Sequence, residues 1–89
     1  MIEIKTESGF ECKLPKDALD DIELWDILAS KEYANEAYRN SALATHLLGD
    51  QKKTLYEHLR KTHGKVPVTA VEKELWDIFR SYGNKAKNS

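Results

Sequence analysis

Apolar and polar residues alternate over the first fourteen positions of the chain. The apolar members of this pattern are Ile2, Ile4, Phe10, Cys12 and Leu14. Alternation with a period of two is typical of strands that bury one face. Between the two runs, residues 6–9 end in Gly9, which can adopt the positive φ that a tight turn requires. The pattern predicts a β-hairpin over residues 1–15, whose apolar face packs against the rest of the chain.

A first helix is predicted over residues 17–31. Pro15 ends the preceding strand, because proline has no amide hydrogen to donate. Asp17, Asp20 and Asp21 supply N-cap and first-turn acids, which the positive end of the helix dipole favours. The apolar residues of this segment surround almost the whole helix circumference. Such a helix either lies at the centre of a core or is covered by a partner.

Three further helices follow. The second is predicted over residues 35–48 and is stopped by Gly49. The third begins after Asp50, a good N-cap, and ends before Gly64. In the fourth, Thr69 and Glu72 have the spacing of a capping box.

The fourth helix is predicted to end near Tyr82 and Gly83, and the polar residues 84–89 are predicted to form a flexible C-terminal tail. The chain has 89 residues, enough for one domain with a modest core. We therefore expect an α+β fold, a small, mostly helical domain with an N-terminal β-hairpin followed by about four α-helices. Residues 1–83 form the single compact domain, and 17–83 are its helical part.

Composition excludes several classes of protein. No apolar run approaches the length of a transmembrane helix, and we expect no secretory signal, because the N-terminus lacks an apolar segment. Cys12 is the only cysteine, so an internal disulfide and a four-thiolate zinc site are excluded. Its place on the apolar face of the hairpin favours a small buried hydrophobic residue over a reactive thiol.

Charge is distributed unevenly along the chain. Residues 1–38 contain ten acidic and four basic residues, whereas residues 39–89 contain five acidic and ten basic residues. Packing of the two halves against each other, with partial neutralisation, is the favoured interpretation. Self-association or docking onto a charged partner is the alternative.

The sequence offers no catalytic constellation. His58 and His63 are five residues apart, which places them about 140° apart around a helix, and no HExxH motif accompanies them or His46. Cys12 has no motif that identifies it as a nucleophile. The acids of the first helix are explained by capping, and the glycines form no phosphate-binding loop. We expect no enzyme, no catalytic residue, no metal ligand and no cofactor.

Residues 52–65 are locally basic, which raises the possibility of nucleic-acid binding. The fourth helix would be the recognition helix of a helix-turn-helix motif. However, its polar face carries Glu72, Glu74 and Asp77, which phosphates repel. A small nucleic-acid-binding regulator is therefore kept only as an alternative.

Surplus aromatic residues are the most informative feature. The candidate partner-binding residues are Trp25, Tyr56, Trp76 and Phe79. Trp25 and Trp76 lie in a repeated hexapeptide, ELWDIL at residues 23–28 and ELWDIF at 74–79, which indicates similar packing needs or a coincidence. Two interpretations of the aromatics remain open: they form a protein-binding or oligomer surface, or the hairpin covers them all.

Several short stretches of the chain match the pattern of a known family. They are Ile2-Glu3-Ile4-Lys5-Thr6, Ser8-Gly9-Phe10-Glu11-Cys12 and Leu14-Pro15 in the hairpin, and Leu47-Leu48-Gly49, Leu55-Tyr56-Glu57-His58-Leu59-Arg60 and Gly64-Lys65-Val66-Pro67-Val68-Thr69-Ala70-Val71 in the helical part. On these residues the chain resembles the small tail assembly chaperones of long-tailed phages and prophages. The resemblance covers about two thirds of the chain.

The resemblance implies a non-enzymatic role with two protein partners. Such chaperones keep the tape measure protein soluble and recruit the major tail protein during assembly of the tail tube. They act in the cytoplasm of the bacterial host and are expected to be absent from the mature virion. No membrane is expected among their partners. The charge asymmetry would favour head-to-tail stacking into a homo-oligomer. A dimeric protein–protein adaptor is the second alternative.

Overall fold

A computed structural model describes residues 1–87, with Tyr33 described by its backbone alone. In this part of the chain an N-terminal antiparallel hairpin is followed by four α-helices, which confirms the predicted α+β fold. The elements are β1 (Ile2–Lys5), β2 (Glu11–Leu14), α1 (Ile22–Ala29), a short 3-10 helix (Lys31–Tyr33), α2 (Glu36–Leu48), α3 (Gln51–His63) and α4 (Val68–Lys87).

The hairpin forms as the alternating pattern predicts. Ile2 lies opposite Leu14 and Ile4 opposite Cys12, and all four side chains are buried on one face of the sheet. Gly9 occupies the turn with a φ of 94°, a left-handed conformation that glycine adopts without steric cost. The register therefore places every apolar strand residue towards the helices.

Helix α4 connects the hairpin to the helical part of the domain. It packs against β1 and against α2. The hydroxyl of Tyr82 donates a hydrogen bond to the carbonyl of Lys16, which fixes the helix to the segment after β2. One apolar core joins these elements, and its most deeply buried large side chains are Ile4, Leu14, Leu24, Leu55 and Ile78.

Helix α1 is shorter than the sequence pattern predicts. The prediction of a helix over residues 17–31 is wrong at both ends, because α1 covers only Ile22–Ala29 and residues 16–19 form turns. Asp21 is the N-cap: its backbone is extended, and its carboxylate accepts the amide hydrogen two residues later over 3.0 Å. Ser30 has an extended backbone, with ψ of 135°, and ends the helix.

The ends of α2 and α3 agree with the prediction. Gly49 follows α2 with a φ of 56°, and Gly64 follows α3 with a φ of 77°. Both glycines thus adopt positive φ, as helix-terminating glycines commonly do. Asp50 precedes α3 but makes no capping hydrogen bond with its side chain, because its backbone is already helical.

Helix α4 begins earlier than predicted. Its first residue is Val68, and the carbonyl of Pro67 accepts the amide hydrogen of Val71 over 3.1 Å. Thr69 therefore lies within the first turn, and the predicted capping box of Thr69 and Glu72 is wrong. Proline fixes φ at about −65°, a value compatible with entry into a helix.

Helix α4 also ends later than predicted. It continues through Gly83 to Lys87, so the prediction of a flexible tail that begins at residue 84 is wrong for residues 84–87. Residues 88–89 of the predicted tail lie outside the described residues. Lys85 donates from Nζ to a carbonyl of β1 over 2.5 Å, which holds the last turns against the hairpin. This tertiary contact helps to offset the weak helix propensity of glycine.

Both outer edges of the two-stranded sheet are occupied by side chains. Gln51 accepts the amide hydrogen of Lys13 over 2.7 Å and donates to the carbonyl of the same residue over 2.8 Å, as a neighbouring strand would. On the other edge, Lys85 donates to the carbonyl of Glu3. These contacts block the middle of each edge strand from pairing with another chain.

Candidate functional site

A groove of about 480 Å³ opens between α1, α2 and α4 and is here called the helical groove. Its residues are mostly apolar, and they come from three helices and the turn before α1. They are Leu19, Trp25, Leu28, Arg39, Asn40, Leu43, Glu72, Leu75, Trp76 and Phe79. The volume lies within the range of about 300–1,000 Å³ that is usual for binding clefts.

Two tryptophans stand on the walls of the helical groove. Trp76 on α4 is 63% exposed, and its ring lies 6.1 Å from that of Phe79 at an angle of 59°. Trp25 on α1 is 48% exposed, and its indole nitrogen donates to the carbonyl of Leu19 over 2.9 Å. That hydrogen bond orients the Trp25 ring, so the wall on this side is held in place.

The repeated hexapeptide explains why the α1 and α4 walls of the helical groove carry similar apolar side chains. Its third residue is Trp25 in α1 and Trp76 in α4, and its sixth residue is Leu28 in α1 and Phe79 in α4. All four of these side chains line the helical groove. The repeat therefore places equivalent apolar residues on opposite sides of one groove.

The structure brings together three of the four predicted partner-binding residues. Trp25, Trp76 and Phe79 line the helical groove, whereas Tyr56 does not. Tyr56 lies on α3, where Lys52 places its Nζ 5.2 Å from the ring centroid. No residue of the hairpin lines the groove, and the two tryptophans stay exposed, so the interpretation that the hairpin covers all the aromatics is wrong.

Asn40 is a buried polar residue of the groove and is not among the residues predicted from the sequence. It is only 4% exposed, and within residues 1–87 its Nδ2 has no hydrogen-bond partner. The signal was present in the sequence, because Asn40 precedes the buried Leu43 and Ala44 by three and four residues, the spacing of one helix face. An amide at a core-facing position is unusual and marks a site to inspect.

Two charged residues of opposite sign also line the groove. Arg39 belongs to α2 and Glu72 to α4, so they stand on different walls. Among the described residues, neither of them takes part in an ion pair. The groove therefore combines apolar walls, an unpartnered amide and two charges that remain available to a ligand.

A second polar cluster surrounds the hairpin turn. Glu74, which is buried, accepts hydrogen bonds from Thr6 over 2.9 Å and from Ser8 over 2.7 Å. His58 places its Nε2 3.1 Å from the hydroxyl and also 3.1 Å from the carbonyl of Ser8. Because the Ser8 hydroxyl donates to Glu74, the histidine does not receive its proton as a general base would. The cluster attaches the turn to α3 and α4.

Two aspartates have perturbed acidities. The amide of Glu7 donates to Asp77 over 2.7 Å, and this hydrogen bond, together with Arg80, lowers the pKa of the Asp77 carboxyl. His46 donates from Nε2 to Asp21 over 2.8 Å and lowers the pKa of that carboxyl. Both interactions connect elements that are distant in sequence, so they serve the fold.

Cys12 is buried on the apolar face of the hairpin. Burial, with a smaller contribution from the nearby charge of Glu74, raises the pKa of the Cys12 thiol to about 11. Within residues 1–87, no group of three or more metal-ligating side chains comes together. In the same part of the chain, no helix is both long and apolar enough to cross a membrane.

The locally basic residues 52–65 lie on α3 and the segment after it, away from the helical groove. Lys53, Arg60 and Lys61 are exposed there, while Lys52 donates to Thr45 over 2.7 Å.

Comparison of the chain with family models, with curated proteins and with solved structures gives no match.

Proposed function

We propose that the protein is a non-enzymatic assembly chaperone that covers an apolar helical segment of a partner protein in the helical groove. The observation that carries this proposal is the convergence of Trp25, Trp76 and Phe79 around one groove that no element of the described chain covers. Exposed aromatic side chains beside a cleft are typical anchors of protein interfaces.

The partner we propose is the tape measure protein of a long-tailed phage or prophage. This protein is long and helical, and during assembly it needs cover for its apolar faces. A groove with aromatic walls binds such a helix through anchors spaced by three or four residues. The chaperone would act in the cytoplasm of the bacterial host, recruit the major tail protein, and leave before the virion is mature.

The test is co-expression with the tape measure protein encoded by the same genome. The solubility and co-purification of that protein are compared for the wild-type chain, Trp76→Ala and Phe79→Ala. Tyr56→Ala is the matched control, because Tyr56 is an aromatic residue outside the helical groove. Trp76 is 63% exposed, so its truncation should leave the fold intact.

The proposal expects the wild-type chain and Tyr56→Ala to keep the tape measure protein soluble, and both groove variants to lose this effect. Rescue that is unaffected by the groove variants would place the binding surface elsewhere. Absence of both rescue and association would contradict the chaperone role. Addition of the major tail protein to the purified complex then tests recruitment by co-elution.

Self-association forms a separate part of the proposal. The acidic residues 1–38 and the basic residues 39–89 would favour head-to-tail stacking of copies on the client. Since such stacking is electrostatic, it should weaken as salt rises. Small-angle scattering at high protein concentration should show larger particles at low salt than at high salt. Compact monomers under both conditions would contradict stacking.

The exposed basic side chains of α3 favour a second candidate, a nucleic-acid-binding regulator. Lys53, Arg60 and Lys61 would contact phosphates, and the affinity would fall steeply with salt. Fluorescence anisotropy with duplex DNA distinguishes the two functions. Strong, salt-dependent binding that is lost in the Lys53→Ala and Arg60→Ala double variant, but kept in Trp76→Ala, would favour the regulator. A stable twofold dimer without a tail-protein client would favour an adaptor.

A further inference from the structure

We propose that the helical groove selects a helix that carries a hydrogen-bond acceptor among its apolar anchors, and that Asn40 is the residue that recognises this acceptor. The inference rests on the proposed function, since it requires that the groove bind a helical segment. It adds a rule for the partner's sequence: one Gln, Asn, Ser or Thr in the middle of an otherwise apolar face.

The first support is the state of the Asn40 side chain. Its Nδ2 is shielded from solvent and has no hydrogen-bond partner within residues 1–87, although the residue lines the groove. Buried amides in folded proteins are almost always paired, because an unpaired donor forfeits its hydrogen bonds to water. The terminal torsion of asparagine is broad, so the side chain can rotate to offer this N–H group to a ligand in the groove.

The second support is the charge on the two walls. Arg39 on α2 and Glu72 on α4 line the same groove and have no ion-pair partner among the described residues. A helix with an acidic residue on one flank and a basic residue on the other complements both walls. Because the two charges differ in sign, they also fix which flank faces which wall.

The third support is the spacing of the lining residues on α4. Glu72, Leu75, Trp76 and Phe79 lie at positions i, i+3, i+4 and i+7, so they form one face over about 10 Å of helix. This row fits a helix laid along it, which presents anchors at the same intervals. The groove therefore suits an amphipathic helix of about two to three turns in contact.

A second copy of the chain fits the groove less well. Apart from the two groove tryptophans, the exposed large apolar residues of the described chain lie on separate segments. They are Met1, Ile22, Tyr38 and Val68. Outside the residues that line the groove, no single element of the described chain therefore presents a row of apolar side chains with an acceptor among them, which is what the groove would require of an identical partner.

The test is a displayed library of amphipathic helices of about 18 residues, with leucine anchors and a randomised central position on the apolar face. Selection is carried out on the wild-type chain and on Asn40→Leu, which keeps the branched shape but lacks the donor. We expect Gln, Asn, Ser and Thr to be enriched at the central position on the wild-type chain, and Leu, Ile and Met on Asn40→Leu.

The affinities of two selected peptides make the test quantitative. The two peptides are identical except at the central position, where one has Gln and the other has Leu. The wild-type chain should prefer the Gln peptide by about tenfold, and Asn40→Leu should lose or reverse this preference. Trp76→Ala should weaken both peptides alike. Circular dichroism confirms that each variant is folded.

Each of the other outcomes overturns a defined part of the proposal. Helices that bind with no preference at the central position would overturn the role of Asn40 and leave the groove as a helix-binding site. Failure of every helix to bind would overturn both the inference and the proposed function. A wild-type dimer that Trp76→Ala converts to a monomer, or a small apolar molecule found by native mass spectrometry, would assign the groove to another occupant.

Discussion

Replacement of Asn40 by leucine should stabilise the free protein. The side chain is 4% exposed, and its Nδ2 has no hydrogen-bond partner among the described residues, so the folded state carries an unpaired buried donor. Leucine has a similar branched shape and leaves no polar group unpaired. An unsatisfied buried amide costs about 1–3 kcal/mol, and part of this should be recovered, because the groove beside the residue accommodates the added volume.

We expect the free energy of unfolding to rise by about 1–2 kcal/mol in Asn40→Leu. In a domain of this size, that corresponds to an increase in Tm of roughly 4–16 °C. Urea denaturation followed by far-UV circular dichroism measures the change. This signal is preferable to tryptophan fluorescence, since both tryptophans are already largely exposed in the folded state.

The same substitution at Asn35 provides a matched control on the same helix. Asn35 is the N-cap of α2, and its Oδ1 accepts the amide hydrogens of Ala37 over 2.8 Å and Tyr38 over 3.3 Å. Asn35→Leu should therefore destabilise the protein by about 0.5–2 kcal/mol. If Asn40→Leu also destabilises by this amount, the Asn40 amide is satisfied in the folded protein, and the argument for an acceptor in the partner fails.

Three further predictions concern the fold. The folded-state pKa values of Asp21 and Asp77 are lowered, so these carboxylates stabilise the protein above about pH 4, and the stabilisation is lost as the pH falls through the lowered values. Urea midpoints measured from about pH 4 downwards should therefore depend less on pH in Asp21→Asn and in Asp77→Asn than in the wild-type chain. Cys12, with its pKa raised to about 11, should react with a thiol reagent at about pH 8 only after denaturation, and rapid reaction of the native protein would contradict its burial. Gln51→Ala should expose the edge of β2 and increase concentration-dependent association in sedimentation velocity, whereas unchanged sedimentation would show that Gln51 does not protect this edge.

The sequence predicts correctly those elements whose limits depend on the backbone conformation of neighbouring residues. The hairpin follows from alternation and from Gly9, and the ends of α2 and α3 follow from Gly49 and Gly64, which adopt positive φ. At these three glycines the backbone has a positive φ, which glycine adopts at little steric cost and other residues largely avoid. These parts of the fold could be derived without knowledge of the tertiary structure.

The predicted helix limits are wrong where tertiary contacts, or several candidate N-cap residues, determine where a helix begins or ends. Several aspartates precede α1, and the sequence does not show that only Asp21 has the extended backbone of the N-cap. Gly83 predicts the end of α4, but Tyr82 and Lys85 attach this part of the helix to residues far away in sequence. Such contacts are invisible to periodicity, because they depend on how the finished elements pack.

The site could be predicted only in part for the same reason. Surplus apolar character identified Trp25, Trp76 and Phe79, but their convergence on one groove requires the packing of α1 against α2 and of α2 against α4. Aromatic type alone does not reveal the neighbours of Tyr56, so its place outside the groove does not follow from the sequence. The apolar stripe of α2 is diffuse, so the sequence pattern does not distinguish Asn40 as a core-facing amide.

The most direct test of the central claim uses the indole N–H signals of the two tryptophans, because both residues lie in the helical groove. Nitrogen–proton correlation spectra are recorded for the free protein and for its complex with the co-expressed tape measure protein. We expect both indole signals to shift or broaden, while the amides of the exposed face of α3 change little. Unchanged indole signals, with perturbations confined to α3, would contradict the claim that the helical groove binds the partner.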